Sequence, residues 1–348
     1  MSDFNIIRVL FFASLAFIFT MAWTPLFTNF VFKYRLGKQI RNDGSTPIFS
    51  RLHAHKAGTP TMGGMLVWVT VFLFSVGFYY LSKLPWEVFS GLNFLSRAET
   101  LLPLGCLISS ALVGLADDYL DVRRLGHNKR GIKFSHKLVI YTLIALVGAL
   151  WFFFKLEWDI VRVPFLGLFH FGWLYILFFI TVVVGTAFSV NQTDGLDGLA
   201  GGILLSSFIA YGVIAFLMGK YDLAAFCSVI VGSLLAFLWF NINPARFYMG
   251  DTGSISLGVT LALVALYTNT VFILPFIGLV FILEAGSTIL QILSKKFRRG
   301  KKIFLSSPIH HHFEARGWSE PKIVMRFWVI AWISAAIGMI VFILDKQF

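Results

Sequence analysis

Ten apolar runs, each near the length that crosses a bilayer, dominate this chain of 348 residues. A spanning helix needs about 20 mostly apolar residues. Such runs lie near 6–32, 61–82, 101–116, 138–154, 173–190, 198–218, 223–242, 253–268, 271–293 and 325–344. In hydrocarbon every backbone N–H and C=O must be paired inside the segment, so apolar runs of this length fold as helices. The sequence therefore predicts an all-α integral membrane protein with ten transmembrane helices, forming a single polytopic domain over residues 1–348. Composition agrees: 57% of residues are hydrophobic and 13% charged, against about 25% charged in soluble domains. That leaves too little polar surface for a soluble fold, and it excludes disorder, a coiled coil and a secreted disulfide scaffold. Cys106 and Cys227 fall inside apolar runs without metal-ligand spacing and are expected as buried thiols. The first run is too long for a cleavable signal peptide and lacks a small-residue cleavage site.

The scarce charges are unevenly placed. Of 29 Lys and Arg, 22 lie in or at the edges of the loops after runs one, three, five, seven and nine. By the positive-inside rule these loops are cytoplasmic, and an even number of spans puts both termini on the periplasmic side. The net charge of +12, which in a soluble chain would suggest nucleic acid, is here a topology signal, and no nucleic-acid partner is expected. The same loops hold nine of the 17 acids and every histidine except His170.

These loops carry the chemistry. Run three ends at Asp117-Asp118, followed by the basic stretch DVRRLGHNKRGIK. Adjacent carboxylates at a membrane interface repel and are costly to desolvate, so they suggest a metal, a cation or a shared proton. A solvated loop start paired with Arg123 and Arg124 is the simpler structural alternative. The loop NQTDGLDGLAGG spaces Asn191, Asp194 and Asp197 by three residues among four glycines. Helix capping accounts for one such polar residue, and the glycines allow close backbone approach to a ligand. After run seven, NINPARFYMGDTGS breaks at Pro244 and reopens at Gly250-Asp251. An acid at a helix start can cap it, or can hold a divalent ion against phosphate where backbone N–H groups favour anions. Tyr248 is read either as a base-stacking ring or as an interfacial aromatic.

The last basic loop has six Lys/Arg between 295 and 302, suited to lipid head groups or phosphate, followed by His310-His311-His312. Consecutive residues point in different directions, so the triplet is a poor single zinc site; phosphate contact or proton handling fits better. Lys56 lies beside the turn GTPTMGG and is read as a phosphate contact or a snorkelling side chain. Glu284, the acid inside a span, is assigned a structural role beside Gly286 and Ser287. Together, acids at 117, 118, 194, 197 and 251, the histidines and several lysines on one face are equipment for phosphoryl transfer at a bilayer surface.

The motifs GTPTMGG, LADDY, NQTDGLDGLAGG, NPARFYMGDTGS and SPIHHHFE, in this order from about residue 33 to the last run, closely resemble those of the phospho-N-acetylmuramoyl-pentapeptide-transferase family. The resemblance implies ten transmembrane helices with periplasmic ends in the bacterial inner (cytoplasmic) membrane, the site facing the cytoplasm, and a homodimer as a candidate assembly. It implies Mg²⁺-dependent transfer of phospho-MurNAc-pentapeptide from UDP-MurNAc-pentapeptide to undecaprenyl phosphate, giving lipid I and UMP. By motif, Asp117 is then the base acting on the lipid phosphate, Asp118 supports it, and Asp251 holds Mg²⁺. Asn191, Asp194 and Asp197 line the nucleotide site, with Lys56, Thr61, Asn241, Tyr248, Gly250 and Gln291 near it. His310, His311 and His312 lie beside the phosphates or the sugar-peptide, with His311 counted among the catalytic group. Two departures stand out. Tyr248 replaces the family's typical phenylalanine, and Arg130-Gly131-Ile132 replaces its Lys-Gly-Leu stretch.

Two other readings predict different behaviour. A sibling that transfers plain N-acetylhexosamine-1-phosphate would accept UDP-GlcNAc without the peptide. A secondary transporter would place its acids near the midplane on repeat-related broken helices, whereas these acids gather at one face and no repeat is visible.

Overall fold

The computed structural model describes residues 2–37, 53, 56–126 and 131–345. A helix of 17 residues or more stands at each of the ten apolar runs: α1 Ser2–Lys33, α2 Met65–Leu81, α3 Leu101–Val122, α4 Phe134–Leu150, α5 Leu174–Thr193, α6 Leu199–Leu217, α7 Tyr221–Asn241, α8 Asp251–Tyr267, α9 Leu279–Phe297 and α10 Glu320–Asp345. Seven are long and apolar enough to cross a membrane: α1, α3, α4 with the wider turn that extends it to Lys155, α5, α6, α7 and α10. Helices α2 and α8 are apolar but shorter, and α9 carries Glu284, Lys295 and Lys296. The chain is a multi-pass membrane protein.

The packing has an inside and an outside. Helix α8 is buried along its length from Thr252 to Tyr267 and packs against α3 and α5. Helix α7 packs against α1, α2 and α6, and α10 against α6. Hydroxyls on buried helices turn back onto their own carbonyls, as Ser256 Oγ does to Thr252 O at 2.6 Å and Thr260 Oγ1 to Ser256 O at 2.8 Å, so these groups are satisfied within their own helix. The outer helices show the reverse pattern. Leu26 on α1 is 71% exposed, and Val147 on α4 and Leu177 on α5 are each 64% exposed. Apolar side chains bare over this much surface need a nonpolar solvent, which a bilayer supplies.

Three sequence expectations are corrected. The fold is not wholly α: Ile160–Val163 (β1) pairs antiparallel with Gly167–His170 (β2), Ile160 opposite His170 and Val163 opposite Gly167. The β-branched Ile-Val-Arg-Val segment favours a strand, and Val161 is its buried anchor. Helix α3 does not stop before the acid pair but runs one further turn to Val122, so Asp117 and Asp118 sit on the helix and are buried. The run 271–293 is broken at Gly278, with a four-residue helix Leu274–Ile277 before α9.

Helix direction alternates along the chain, so the ends of α1, α3, α5, α7 and α9 and the starts of α2, α4, α6, α8 and α10 meet at one end of the bundle. That end carries the predicted site.

Candidate active site

At the centre is the start of α8. Gly250 takes φ of 75°, a backbone region that suits glycine because it has no Cβ. A Cβ there would stand 2.4 Å from Asp118 Oδ2 and 2.7 Å from Thr61 Oγ1. The first backbone N–H groups of a helix lack intrahelical partners, and α3 supplies them in trans. Asp251 N–H donates to Asp118 Oδ1 and Thr252 N–H to Asp118 Oδ2, both at 3.1 Å. Asp194 Oδ2 accepts from Gly250 N–H at 3.1 Å. The two acids thus hold the α8 entrance, and Asp118 supports its neighbour by fixing Asp251.

Asp117 and Asp251 face one ammonium. Lys137, on the first turn of α4, donates to Asp117 Oδ2 and, at 2.7 Å, to Asp251 Oδ2. The Ile132 N–H donates to Asp117 Oδ1 at 2.7 Å. Across Asp251, Asn191 Nδ2 donates to Oδ1 at 2.9 Å and to Ser254 Oγ at 3.0 Å. The close approach of α3 to α8 depends on Gly114, where a Cβ would stand 2.6 Å from the Asp251 carbonyl carbon. Gly131 and Ile132 of the altered Lys-Gly-Leu stretch therefore line Asp117, while Arg130 lies outside the described residues.

A second cluster lies beside the first. Lys56 Nζ donates to Asp197 Oδ1 at 2.6 Å and to Glu320 Oε1 at 2.5 Å. Burial works against the Lys56 charge, but Glu320 and Asp197 outweigh it and hold the ammonium above its ordinary 10.5. Asp197 Oδ2 also accepts from Asn243 Nδ2 at 2.9 Å and Ala245 N–H at 3.0 Å, and Asp197 N–H donates to Glu320 at 2.6 Å. Tyr248 lies with its ring centroid 5.9 Å from Lys56 Nζ, and burial pushes its phenol above the usual tyrosine value, so the ring stays neutral. Asn241 works inside this frame: its Oδ1 accepts from Gly198 N–H at 3.0 Å and its Nδ2 donates to Phe247 O at 2.8 Å.

The three histidines divide among three partners, as their consecutive directions on the short helix Ile309–Ala315 require. His310 Nδ1 meets Glu284 Oε2 at 2.8 Å with both side chains fully buried, and its ring lies against Gly195. Glu284, read from sequence as structural, is the buried partner of a site histidine. His311 Nδ1 lies 2.6 Å from Glu314 Oε2. Burial, with His310 next to it, lowers the His311 pKa to about 3, so it is neutral at neutral pH. His312 Nδ1 accepts from Leu305 N–H at 3.1 Å near the surface. Gln291 ties down the basic loop, accepting from Ile303 N–H at 2.9 Å and donating to Phe304 O at 2.8 Å.

Lys56, Thr61, Asp117, Asp118, Asn191, Asp194, Asp197, Tyr248, Gly250 and Asp251 thus meet at one end of the bundle. Sequence reasoning did not single out Lys137, Glu320, Asn243, His53 or Glu314. Lys137 follows a basic stretch that already holds five cations, and Glu320 looks like an ordinary helix-start acid. Their roles exist only in the juxtaposition of loops far apart in sequence.

Residues 100–269 match the family model described as glycosyl transferase family 4. A Chloroflexus aggregans protein named phospho-N-acetylmuramoyl-pentapeptide-transferase is 39% identical over 344 residues, covering 95% of this chain and 89% of its own length. A protein of the same name from Listeria monocytogenes is 40% identical over 334 residues, covering 95% of this chain and 97% of its own.

Proposed function

Since the chain belongs to the phospho-N-acetylmuramoyl-pentapeptide-transferase family, we propose that the site described above performs that transfer. The P–O–P bond of UDP-MurNAc-pentapeptide breaks, UMP leaves, and the sugar-bearing phosphoryl group ends on the phosphate of undecaprenyl phosphate. The observation that carries the residue assignment is the Asp117–Lys137–Asp251 bridge at the start of α8. Two carboxylates, one from α3 and one from α8, hold a single cation beside a helix start that Asp118 and Asp194 fix in place.

The residues fit Mg²⁺. Its preferred donors are carboxylate oxygens, and Asp117 and Asp251 already converge on one cationic group. Thr61 Oγ1, buried beside Gly250 and Asp118, has no hydrogen-bond partner among the described residues. Asp251 would hold the ion beside Asp117, and it would supply charge neutralisation at the diphosphate and the leaving UMP. Asp117 takes the proton of the lipid phosphate, and Lys137 balances the charge of the two acids. Lys56, held by Asp197 and Glu320, presents a permanent cation to the nucleotide diphosphate, and the Tyr248 ring beside it stacks on uracil. His310 borders the same space from the Gly195 side.

The membrane setting follows the same reading. All ten helices cross the bacterial inner membrane, with both termini periplasmic and the site end in the cytoplasm. There a water-soluble nucleotide and a lipid phosphate can meet. The test uses purified protein with Mg²⁺: UMP release from UDP-MurNAc-pentapeptide is expected only when polyprenyl phosphate is added, and is expected to stop on chelation by EDTA. Folded protein that releases no UMP under these conditions would sink the assignment. Retained wild-type rates in both Asp251→Ala and Asp117→Asn would leave the family standing and overturn the residue roles.

A further inference from the structure

His311 and Glu314 lie three residues apart on the helix Ile309–Ala315 and so share a face. His53, from the segment between α1 and α2, meets them there although it is 261 residues away from Glu314 in sequence. His53 Nε2 is 3.1 Å and His311 Nδ1 2.6 Å from the same oxygen, Glu314 Oε2. All three donor atoms lie within 4.8 Å of one another. The side chains are only 5%, 10% and 8% exposed in the order His53, His311, Glu314. The cluster is therefore compact, shielded from water, and built from one carboxylate and two imidazoles.

We propose that His53, His311 and Glu314 form a divalent transition-metal site of the zinc class, separate from the carboxylate site at Asp251. It clamps the segment before α2 to the helix before α10. Two histidines and one glutamate are a zinc ligand set, with bonds of about 2.0–2.2 Å and a fourth position left for water. Ligands at those distances stand about 3.3–3.5 Å apart on a tetrahedron. The His53–Glu314 edge is already 3.1 Å, and the His311–Glu314 edge of 2.6 Å opens by less than an ångström. On binding, each imidazole turns a lone pair to the ion and carries its proton on the other ring nitrogen.

Ligand chemistry separates the two sites. Imidazole nitrogen favours zinc, whereas the oxygen donors around Asp251 suit Mg²⁺. The triplet itself is not the site, as consecutive directions dictate. His310 is committed to Glu284 and His312 to Leu305 N–H, and only His311 joins ligands from elsewhere. The proposal stands on these three side chains and is independent of which nucleotide sugar the active site takes.

The test uses the full chain without a polyhistidine tag, purified in detergent, stripped by chelator and re-equilibrated with limiting Zn²⁺ in excess Mg²⁺. One zinc per chain is expected by elemental mass spectrometry. Co²⁺ in its place should give the visible absorption of a tetrahedral site. His53→Gln and Glu314→Gln should each lose the stoichiometric metal, while Asp251→Asn keeps it. Zinc should also raise the melting temperature of the wild type and leave that of His53→Gln unmoved. If the wild type holds no more zinc than the His53→Gln/Glu314→Gln double variant, Glu314 is only a carboxylate receiving two ring N–H groups and the proposal falls. Retention of zinc by His53→Gln, with helical circular dichroism intact, would overturn it equally.

Discussion

At the scale of single residues, Lys137 shows how one cation organises the proposed reaction end. Its ammonium donates to Asp117 and Asp251, which come from α3 and α8. Both acids are largely removed from water, with side chains 6% and 22% exposed, so removing the cation leaves two negative charges facing each other. Lys137→Met is expected to lower kcat by about 10²-fold or more, the size seen when a charge-stabilising group is removed from an active site. Lys137→Arg is expected to recover little of it, because a planar guanidinium cannot occupy the same point between two carboxylates. Steady-state rates with a melting curve for each variant test this; a wild-type kcat in Lys137→Met would refute it. Glu320 has a different signature. It holds Lys56 and the Asp197 backbone, on the side proposed for the nucleotide, so Glu320→Gln is expected to raise KM for the nucleotide sugar more than it lowers kcat. Because the Lys56 pKa is raised above 10.5, the stability from its ion pairs is complete below that pH. It is lost only as pH rises through the higher folded value. A melting temperature that falls between pH 7 and 9 in the wild type but not in Lys56→Met would contradict this. The acids of these clusters were legible from the chain because paired carboxylates in apolar surroundings are costly. Lys56 and Asn191 were legible too, through the glycine-rich motifs that hold them, whereas Lys137, Glu320 and Asn243 were not, since a lysine in a basic loop or an acid at a helix start is ordinary until folding gives it a partner.

At the scale of elements, the apolar runs located every long helix but misplaced ends wherever a helix carried its chemistry. Hydrophobicity stops at Ala116, yet α3 continues through Asp117 and Asp118, because Asp118 is stabilised by two backbone N–H groups of α8 and Asp117 by Lys137. Likewise Asn191 was placed in a loop but closes the last turns of α5, held by Asp251 and Ser254. The hairpin escaped because its strands are four residues each, too short to stand out among ten apolar runs. The α3–α8 contact makes a sharp prediction. A Cβ at position 114 would stand 2.6 Å from the Asp251 carbonyl carbon and oxygen and from Thr252 N, all backbone atoms that cannot rotate away. Gly114→Ala is expected to displace Asp251 and cut turnover by at least tenfold, while costing stability by about 1–3 kcal/mol as other overpacked contacts do. Gly77 on α2 has nothing within 4 Å of the same ideal Cβ, so Gly77→Ala should leave rate and melting temperature unchanged. Equal effects of the two substitutions would show that the close helix contact does not set the position of Asp251.

At the scale of the whole molecule, the lysine and arginine ion pairs of the described residues gather at two ends. One end holds the two lysine–carboxylate clusters. The other holds Arg8–Asp222 at 2.8 Å, Arg162–Asp345 at 2.5 Å and Lys220–Glu99 at 3.8 Å. A slab crossed by apolar helices between two charged ends is what a bilayer requires. The excess of Lys and Arg at the site end is the ground for the proposal that this end faces the cytoplasm. Single cysteines read this assignment directly. The native Cys106 and Cys227 are buried and should be silent to a membrane-impermeant maleimide. Leu166 on the hairpin after α4 is 73% exposed, and Lys301 after α9 is exposed as well. In spheroplasts, Leu166→Cys should react without lysis and Lys301→Cys only after it. The opposite pattern would invert the orientation and put the active site on the wrong side for a cytoplasmic nucleotide. Reaction of both without lysis would mean that an even number of crossings separates them and would overturn the proposed ten-span topology, in which five helices, α5 to α9, lie between the two positions.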